Sequence, residues 1–310
     1  MVEDSEIKAE VSPFAIREGE IKTFDGKDGY VSMNQIIHKI NIGHITDIHF
    51  AILDLINEFE FMTSRQIFQM LKIKGIEIQS QDKLNNKLEQ LVKSKILTRY
   101  YFTSEEGKGI YRIYCLEKMG KYLLNSKEVE CKWQPSDNTK PVAMIKKRLA
   151  GNQILIAYLR KVKAFDEFVV KPAIADKVSG KVFKASGGAI KLTKNKKSIW
   201  FLFEVVRRES DWQKKLVDRM RQYKEFYENF VPGDSNFQSM PQLILDCEDE
   251  KHIVETFKEI VKNQLEIPQI KLLFTTDLRQ NEEKLSDTLV GFKLVDGKYK
   301  MENEELKLLD

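Results

Sequence analysis

The chain has 310 residues, a formal net charge of +4, 42% hydrophobic content and 10% aromatics, which suits two folded domains with separate cores and excludes an intrinsically disordered chain. No segment approaches the roughly 18 consecutive apolar residues of a membrane span, and the acidic N-terminal M-V-E-D-S-E-I-K-A-E is unlike a secretory signal, so a cytoplasmic protein is expected. Cys115, Cys131 and Cys247 are odd in number and form no C-x-x-C pair, and His38, His44, His49 and His252 show no ligand spacing, which argues against a disulfide framework, a metal site or a cofactor.

Residues 1–43 contain scattered Gly and Asp, including F-D-G-K-D-G-Y at Phe24–Tyr30. This composition suggests turns around short strands, an ordered arm rather than a helix. From Thr46 a helix is expected, because Ile48, Ile52, Leu55, Ile56 and Phe59 recur at helical spacing behind a Thr N-cap. Thr63 opens a second helix with Ile67, Phe68 and Leu71 on one face, and Ser80–Lys95 gives a third with Leu84, Leu88, Leu91 and Val92 inward. The runs I-L-T-R-Y-Y-F and I-Y-R-I-Y-C-L flank the turn S-E-E-G-K-G and read as a β-hairpin.

Three helices and a hairpin in this order look like a winged helix-turn-helix over residues 44–124. The third helix is then the recognition helix, presenting Gln81, Lys83, Asn86 and Lys87 to phosphates or base edges. Arg99, Lys108 and Arg112 would sit on the wing. A winged helix can equally serve protein contacts or dimerisation. Residues 125–141, polar, aperiodic and holding two prolines, make the best linker.

The remainder, 142–310, opens with a long helix at Val142–Lys163 whose first half is basic. Strands follow at Phe168–Ala173, Ala189–Leu192 and Ile199–Val206, then a helix at Ser210–Phe230, a strand at Pro241–Cys247, a helix at Glu248–Asn263 and a strand at Ile270–Thr276. Alternation of this kind implies an α/β sheet covered on both faces, α+β overall. The order αβββαβαβ is that of a restriction-endonuclease-like core.

Charge is unevenly spread. Residues 1–69 carry a net −6 and 225–310 a net −9, whereas 139–224 carry +15 and 70–224 together +19. A local positive field of this size points to a polyanionic partner, double-stranded DNA, although lysine-rich solvated faces give the same count. The candidate phosphate contacts beyond the winged helix are Lys146, Lys147 and Arg148 and, on the basic helix, Lys214, Lys215, Arg219 and Arg221, with Lys194, Lys196 and Lys197 in a loop. Trp212, Leu216, Met220 and Tyr223 form that helix's inward set.

The run S-I-W-F-L-F-E-V-V-R-R, Ser198–Arg208, carries one acid, Glu204, and a carboxylate in a buried strand must be paired, protonated or metal-bound. The succession of elements, the strand F-L-F-E-V-V-R-R (Phe201–Arg208), the helix K-K-L-V-D-R-M-R-Q-Y (Lys214–Tyr223) and the strands Q-L-I-L-D (Gln242–Asp246) and L-L-F-T-T (Leu272–Thr276) resemble the replication-relaxation family of plasmids and integrative elements. That resemblance implies an N-terminal winged helix joined to a degenerate nuclease-like domain. The family's middle strand reads like F-x-E-V-D-R, with Pro-Asp before the preceding strand. Here Glu204, Val205 and Arg207 match, but Val206 replaces the acid and Gly187-Gly188 stands for Pro-Asp.

A nuclease of this class holds Mg²⁺ between an Asp and a Glu with a Lys two positions after the Glu, and a single carboxylate holds that ion poorly. Asp176, the nearest upstream acid, lies in a polar loop too far back. Glu204 is thus expected to be a structural partner of Arg207, Arg208 or a lysine of the following helix. A non-enzymatic double-stranded-DNA-binding protein of a mobile element follows, acting in plasmid replication, conjugation or transcriptional regulation, with DNA and a second copy of the chain as candidate partners and no membrane or small-molecule partner. A Mg²⁺-dependent nuclease using Glu204 and a protein-interaction module remain the alternatives.

Overall fold

The structure, a computed structural model, describes residues 12–104, 107–176, 180–233, 237–281, 284–306 and 309. Its helix starts follow from capping chemistry. The helix α1 (Met33–Asn41) is preceded by Ser32, whose hydroxyl accepts from the Gln35 amide, while the Gln35 side chain accepts from the Ser32 amide. This helix was not expected in the first 43 residues, whose Gly and Asp residues surround rather than interrupt it. Before it lies β1 (Ile21–Phe24).

The elements expected from His44 are present. Helix α2 (Asp47–Phe59) follows Thr46, and α3 (Ser64–Ile73) follows Thr63. Thr63 and Gln66 form a reciprocal box at 3.1 and 3.2 Å. Helix α4 (Gln81–Lys93) begins at Ser80, and β3 (Leu97–Ser104) pairs antiparallel with β4 (Gly107–Leu116). A two-residue strand β2 (Met62–Thr63) and β1 complete a sheet ordered β1-β3-β4-β2. Helix α5 (Lys118–Ser126) follows the hairpin.

The proposed linker is tied down. Asn138, in the 3-10 turn Pro135–Thr139, donates from Nδ2 to the Leu116 carbonyl at 3.1 Å and accepts from Trp133 Nε1 at 3.1 Å, and Lys22 Nζ donates to the Asn138 and Lys140 carbonyls.

Beyond it α6 (Val142–Lys161) leads into a seven-stranded sheet ordered β13-β12-β11-β10-β9-β8-β5. Its strands are β5 (Phe165–Val169), β8 (Gly188–Lys194), β9 (Lys197–Val205), β10 (Gln242–Cys247), β11 (Leu273–Thr276), β12 (Leu289–Val295) and β13 (Lys298–Glu304). Strands β9, β10 and β11 are parallel and the outer ones antiparallel. The chain is an α/β protein, as expected. Strands β12 and β13 extend the sheet beyond the expected order. Of the expected strands one is divided: the Phe168–Ala173 segment splits between β5 and β6 (Ala173–Asp176), which pairs with β7 (Lys181–Lys184) in a separate hairpin. Pro172, which has no amide to give to a ladder, stands at the division.

Alternation along β9 builds both cores. Phe201, Phe203 and Val205 pack with Leu149, Ile156 and Tyr158 of α6, whereas Leu202 and Val206 pack with α7 (Trp212–Glu228) and α8 (Glu250–Lys262). The α6 side is continuous with the N-terminal core: Asn152 donates to the Phe59 and Phe61 carbonyls, and Gln66 Nε2 donates to the Leu149 carbonyl at 2.7 Å. A Cβ added at Gly187 would stand 2.7 Å from Phe203 Cβ and 2.8 Å from Phe203 O. Gly187→Ala is expected to lower stability by about 1–3 kcal/mol through overpacking, checked by the denaturant midpoint.

Candidate nucleic-acid interface

A groove of about 1750 Å³ runs between the N-terminal helices and the end of α6. Helix α3 turns Arg65, Phe68, Gln69 and Lys72 into it, residues that share one face at helical spacing, and α4 adds Gln81, Asn85, Asn86 and Glu89. Arg99 and Arg112 come from the hairpin, and Gln153, Arg160 and Lys161 from α6. Arg65, Lys72 and Arg160 are exposed and have no acidic partner among the described residues, although the Lys72 ammonium lies 4.4 Å from the Phe68 ring centroid. Sequence reasoning missed Arg65, Lys72 and Arg160. For α3 the i, i+3, i+4, i+7 pattern of 65, 68, 69 and 72 was a usable signal.

The expected contact residues divide sharply. Gln81, Asn86, Arg99 and Arg112 line the groove, whereas Lys83 and Lys87 of α4 do not. Arg99 is buried and pairs with Glu89 at 2.6 Å and Asp25 at 2.9 Å, and the exposed Arg112 shares Asp25 at 2.9 Å. The Lys108 side chain lies outside the described residues. Lys146 and Arg148 are buried, at 2% and 5% exposure, so neither stands on a surface where a phosphate could reach it. Lys146 pairs with Glu20, and Arg148 donates to the Val170 carbonyl at 2.8 Å and lies 3.7 Å from Glu60. Half-buried Lys147 pairs with Glu209.

On α7, Lys215 pairs with Glu209 at 2.6 Å, Arg221 with Asp218 at 3.2 Å and Arg219 with Glu204 at 3.4 Å, while Lys214 is exposed. None of these four lines the groove.

Glu204 is 5% exposed and its oxygens meet three donors: Tyr223 Oη at 2.7 Å and the Ser186 amide at 3.2 Å to Oε2, and Arg219 Nε at 3.4 Å from Oε1. Burial, with the Glu204 charge behind it, pushes the Tyr223 phenol well above its ordinary range, which keeps it a donor. The expectation of a partner in Arg207, Arg208 or a lysine of the following helix is corrected: that helix does supply the partners, but they are Arg219 and Tyr223. Arg207 and Arg208 have other acids.

Arg207 is fully buried on the α6 side of the sheet. Its Nη2 donates to Asp246 Oδ2 at 2.9 Å and Asp277 Oδ1 at 2.7 Å, and Nη1 donates to the Val206 and Asp246 carbonyls at 2.8 and 3.1 Å. Burial and then the Asp277 charge push Asp246 well above the usual carboxylate range. Arg208 meets Asp249 at 2.5 Å, Glu255 at 3.1 Å and Glu248 at 3.4 Å. Ser12 Oγ donates to Asp277, and the Ile16 amide donates to Glu248 at 3.0 Å. The N-terminal segment therefore closes over the carboxyl ends of β9, β10 and β11.

A family model described as replication-relaxation matches residues 53–235, well over half of the chain and inclusive of α3, α4, α6, β9 and α7. The chain belongs to the replication-relaxation family. No curated protein and no solved structure matches it. Membership links the chain to plasmid or mobile-element replication or relaxation. The family match ends before β10, so Asp246 and Asp277, the acids that hold Arg207, lie beyond it. Among the described residues no helix is long and apolar enough to cross a membrane, and no group of three His, Cys, Asp or Glu side chains is placed to hold a metal ion.

Arg207→Met leaves two buried acids without their cation, and a loss of about 3–5 kcal/mol is expected in urea unfolding. His252 supplies a pH test. Burial first, then Arg208 and Arg207, push its imidazole down to about 3, so it stays neutral when folded, while the unfolded chain takes up its proton near pH 6.5. Its contribution is therefore complete above pH 6.5 and is lost as pH falls towards 3. The stability difference between wild type and His252→Gln, followed by urea unfolding from pH 7 to pH 4, is expected to shrink towards acid.

Proposed function

We propose that this replication-relaxation family member is a non-enzymatic double-stranded-DNA-binding protein of a mobile element, engaging DNA along the groove between α3, α4, the β3–β4 hairpin and the end of α6. The carrying observation is the company kept by the amides of α4. Gln81, Asn85 and Asn86 enter the same groove as Arg65, Lys72 and Arg160, so groups that bond base edges are flanked by groups that bond phosphates. Read as a winged helix-turn-helix, residues 44–124 then use α4 for recognition and the hairpin as the wing.

The structural surroundings of Glu204 support the absence of hydrolysis. Its oxygens are engaged by Tyr223, Ser186 and Arg219, and the position of the nuclease Lys is Val206, buried in the apolar core between sheet and α7. Gly187 and Gly188 leave no room for the missing Asp, since a Cβ at 187 collides with Phe203 and residue 188 has a φ of +95°.

Mobility-shift titrations over increasing NaCl check the reading. Wild-type affinity is expected to fall steeply with salt, and Arg65→Ala, Lys72→Ala and Arg160→Ala each to lower the slope of log K against log salt by about one, whereas Lys214→Ala, off the groove, leaves it unchanged. Asn86→Ala is expected to relax sequence preference. Affinity independent of ionic strength would remove the phosphate contacts from the proposal, and Mg²⁺-dependent plasmid nicking abolished by Glu204→Gln would establish the nuclease instead.

A further inference from the structure

The hairpin of β12 and β13 turns at Asp296-Gly297, both with positive φ (49° and 73°), the two-residue geometry that matches strand twist. Strand β13, K-Y-K-M-E-N-E, ends the seven-stranded sheet, and six of its seven residues are exposed. Among the described residues no strand neighbours its outer edge, whose backbone N–H and C=O groups are a template for another chain.

The two faces of β13 differ. Tyr299 and Met301 lie opposite Leu294 and Phe292 of β12, and Leu294, Tyr299 and Met301 are 59%, 47% and 37% exposed. Beneath them Phe292 stacks on Phe257 of α8 with centroids 3.8 Å apart, and Tyr299 meets the same ring edge-on at 4.9 Å. The other face presents Lys298, Lys300, Glu302 and Glu304, the last paired with Lys271.

We propose that β13 is the contact strand of a homodimer, pairing antiparallel with β13 of a second copy about a two-fold axis at Met301. The order of charges selects both the partner and the register. Opposed residues of an antiparallel pair project to the same face, so a two-fold contact can centre only on a residue. Centring on Lys300 sets that lysine against itself, and centring on Glu302 does the same with an acid. Centring on Met301 sets Lys298 against Glu304 and Lys300 against Glu302, each twice. Edge lysines ordinarily deter pairing, yet two lysines followed by two acids repel only a misregistered copy. The same register brings the exposed Met301 of each copy together across the axis and joins the Leu294–Tyr299–Met301 surfaces, as an isologous contact requires. Residues 289–304 lie outside the segment shared with the family.

Sedimentation velocity of the full chain across micromolar concentrations tests this. Wild type is expected to dimerise. Lys300→Glu and Glu302→Lys alone each set like charges opposite one another twice and weaken the dimer by about tenfold. The double reversal in one chain restores it, and an equimolar mixture of the two single variants forms mixed dimers. Unchanged thermal midpoints exclude misfolding. A monomeric wild type, or a dimer indifferent to both single reversals, overturns the surface, and failure of the double reversal to restore it overturns the register.

Discussion

Arg207 is the charge around which the C-terminal half is organised. A guanidinium with no exposure is tolerated only where acceptors replace its water, and here they come from the carboxyl ends of all three parallel strands. Val206 follows β9, Asp246 belongs to β10 and Asp277 follows β11. Burial alone would lower the arginine pKa, but Asp277 and Asp246 raise it, so the cation is fixed. Two carboxylates beside one cation would leave an uncompensated charge, and the upward shift of Asp246 resolves this by favouring its protonated form. Asp277 then accepts from Ser12 as well, so one ion cluster joins three strands and the N-terminal segment.

The same logic recasts the charge distribution along the sequence. Acidic ends and a basic middle suggest a free positive surface, but much of that charge is internal. Glu20 pairs with Lys146, and Glu60 draws Arg148, Lys140 and Lys171 around one carboxylate. The C-terminal acids Glu248, Asp249, Glu255 and Asp277 are the counterions of Arg207 and Arg208. A count along the chain thus overstates the field that a polyanion meets. What remains is a smaller set of exposed cations, and those of the groove come from elements far apart in sequence.

This difference explains what the sequence could reveal. Helices α2, α3 and α4 were legible because capping residues and apolar spacing are local, and β9 was legible because its apolar run is long. The β6–β7 hairpin was missed because its strands are short and β7 is mostly exposed, and β13 because six of its seven residues are exposed. Helix α1 was missed although Met33, Ile36, Ile37 and Ile40 recur at helical spacing behind Ser32, because the Gly and Asp residues around it read as turns. The partner of Glu204 was half-legible. Strand alternation sends Glu204 to the same side as Leu202, which α7 covers, and Arg219 and Tyr223 lie four apart beside Leu216 and Met220 of that helix. Nearness in sequence favoured Arg207 and Arg208 instead, but the backbone leaves the strand after Val205 and sends them elsewhere. The groove was not legible, because whether Arg65 or Arg160 faces it depends on how α3 meets α6.

That meeting is fixed by buried hydrogen bonds rather than by surface contact alone. Gln66 caps α3 with its carbonyl oxygen and uses its amide to reach the α6 backbone at Leu149, and Asn152, one turn further, holds the end of α2 through Phe59 and Phe61. Sliding one helix along the other would leave these amides buried without their partners, at the full desolvation cost, so the walls of the groove stay in register with the sheet beneath. Arg160 lies two turns beyond Asn152 on the same helix and inherits its position. A groove held open in this manner requires little ordering when an occupant arrives, which favours affinity from few contacts. On the proposed DNA-binding reading, the C-terminal half would contribute to recognition as a rigid wall, a role compatible with Arg207 and Glu204 being satisfied internally.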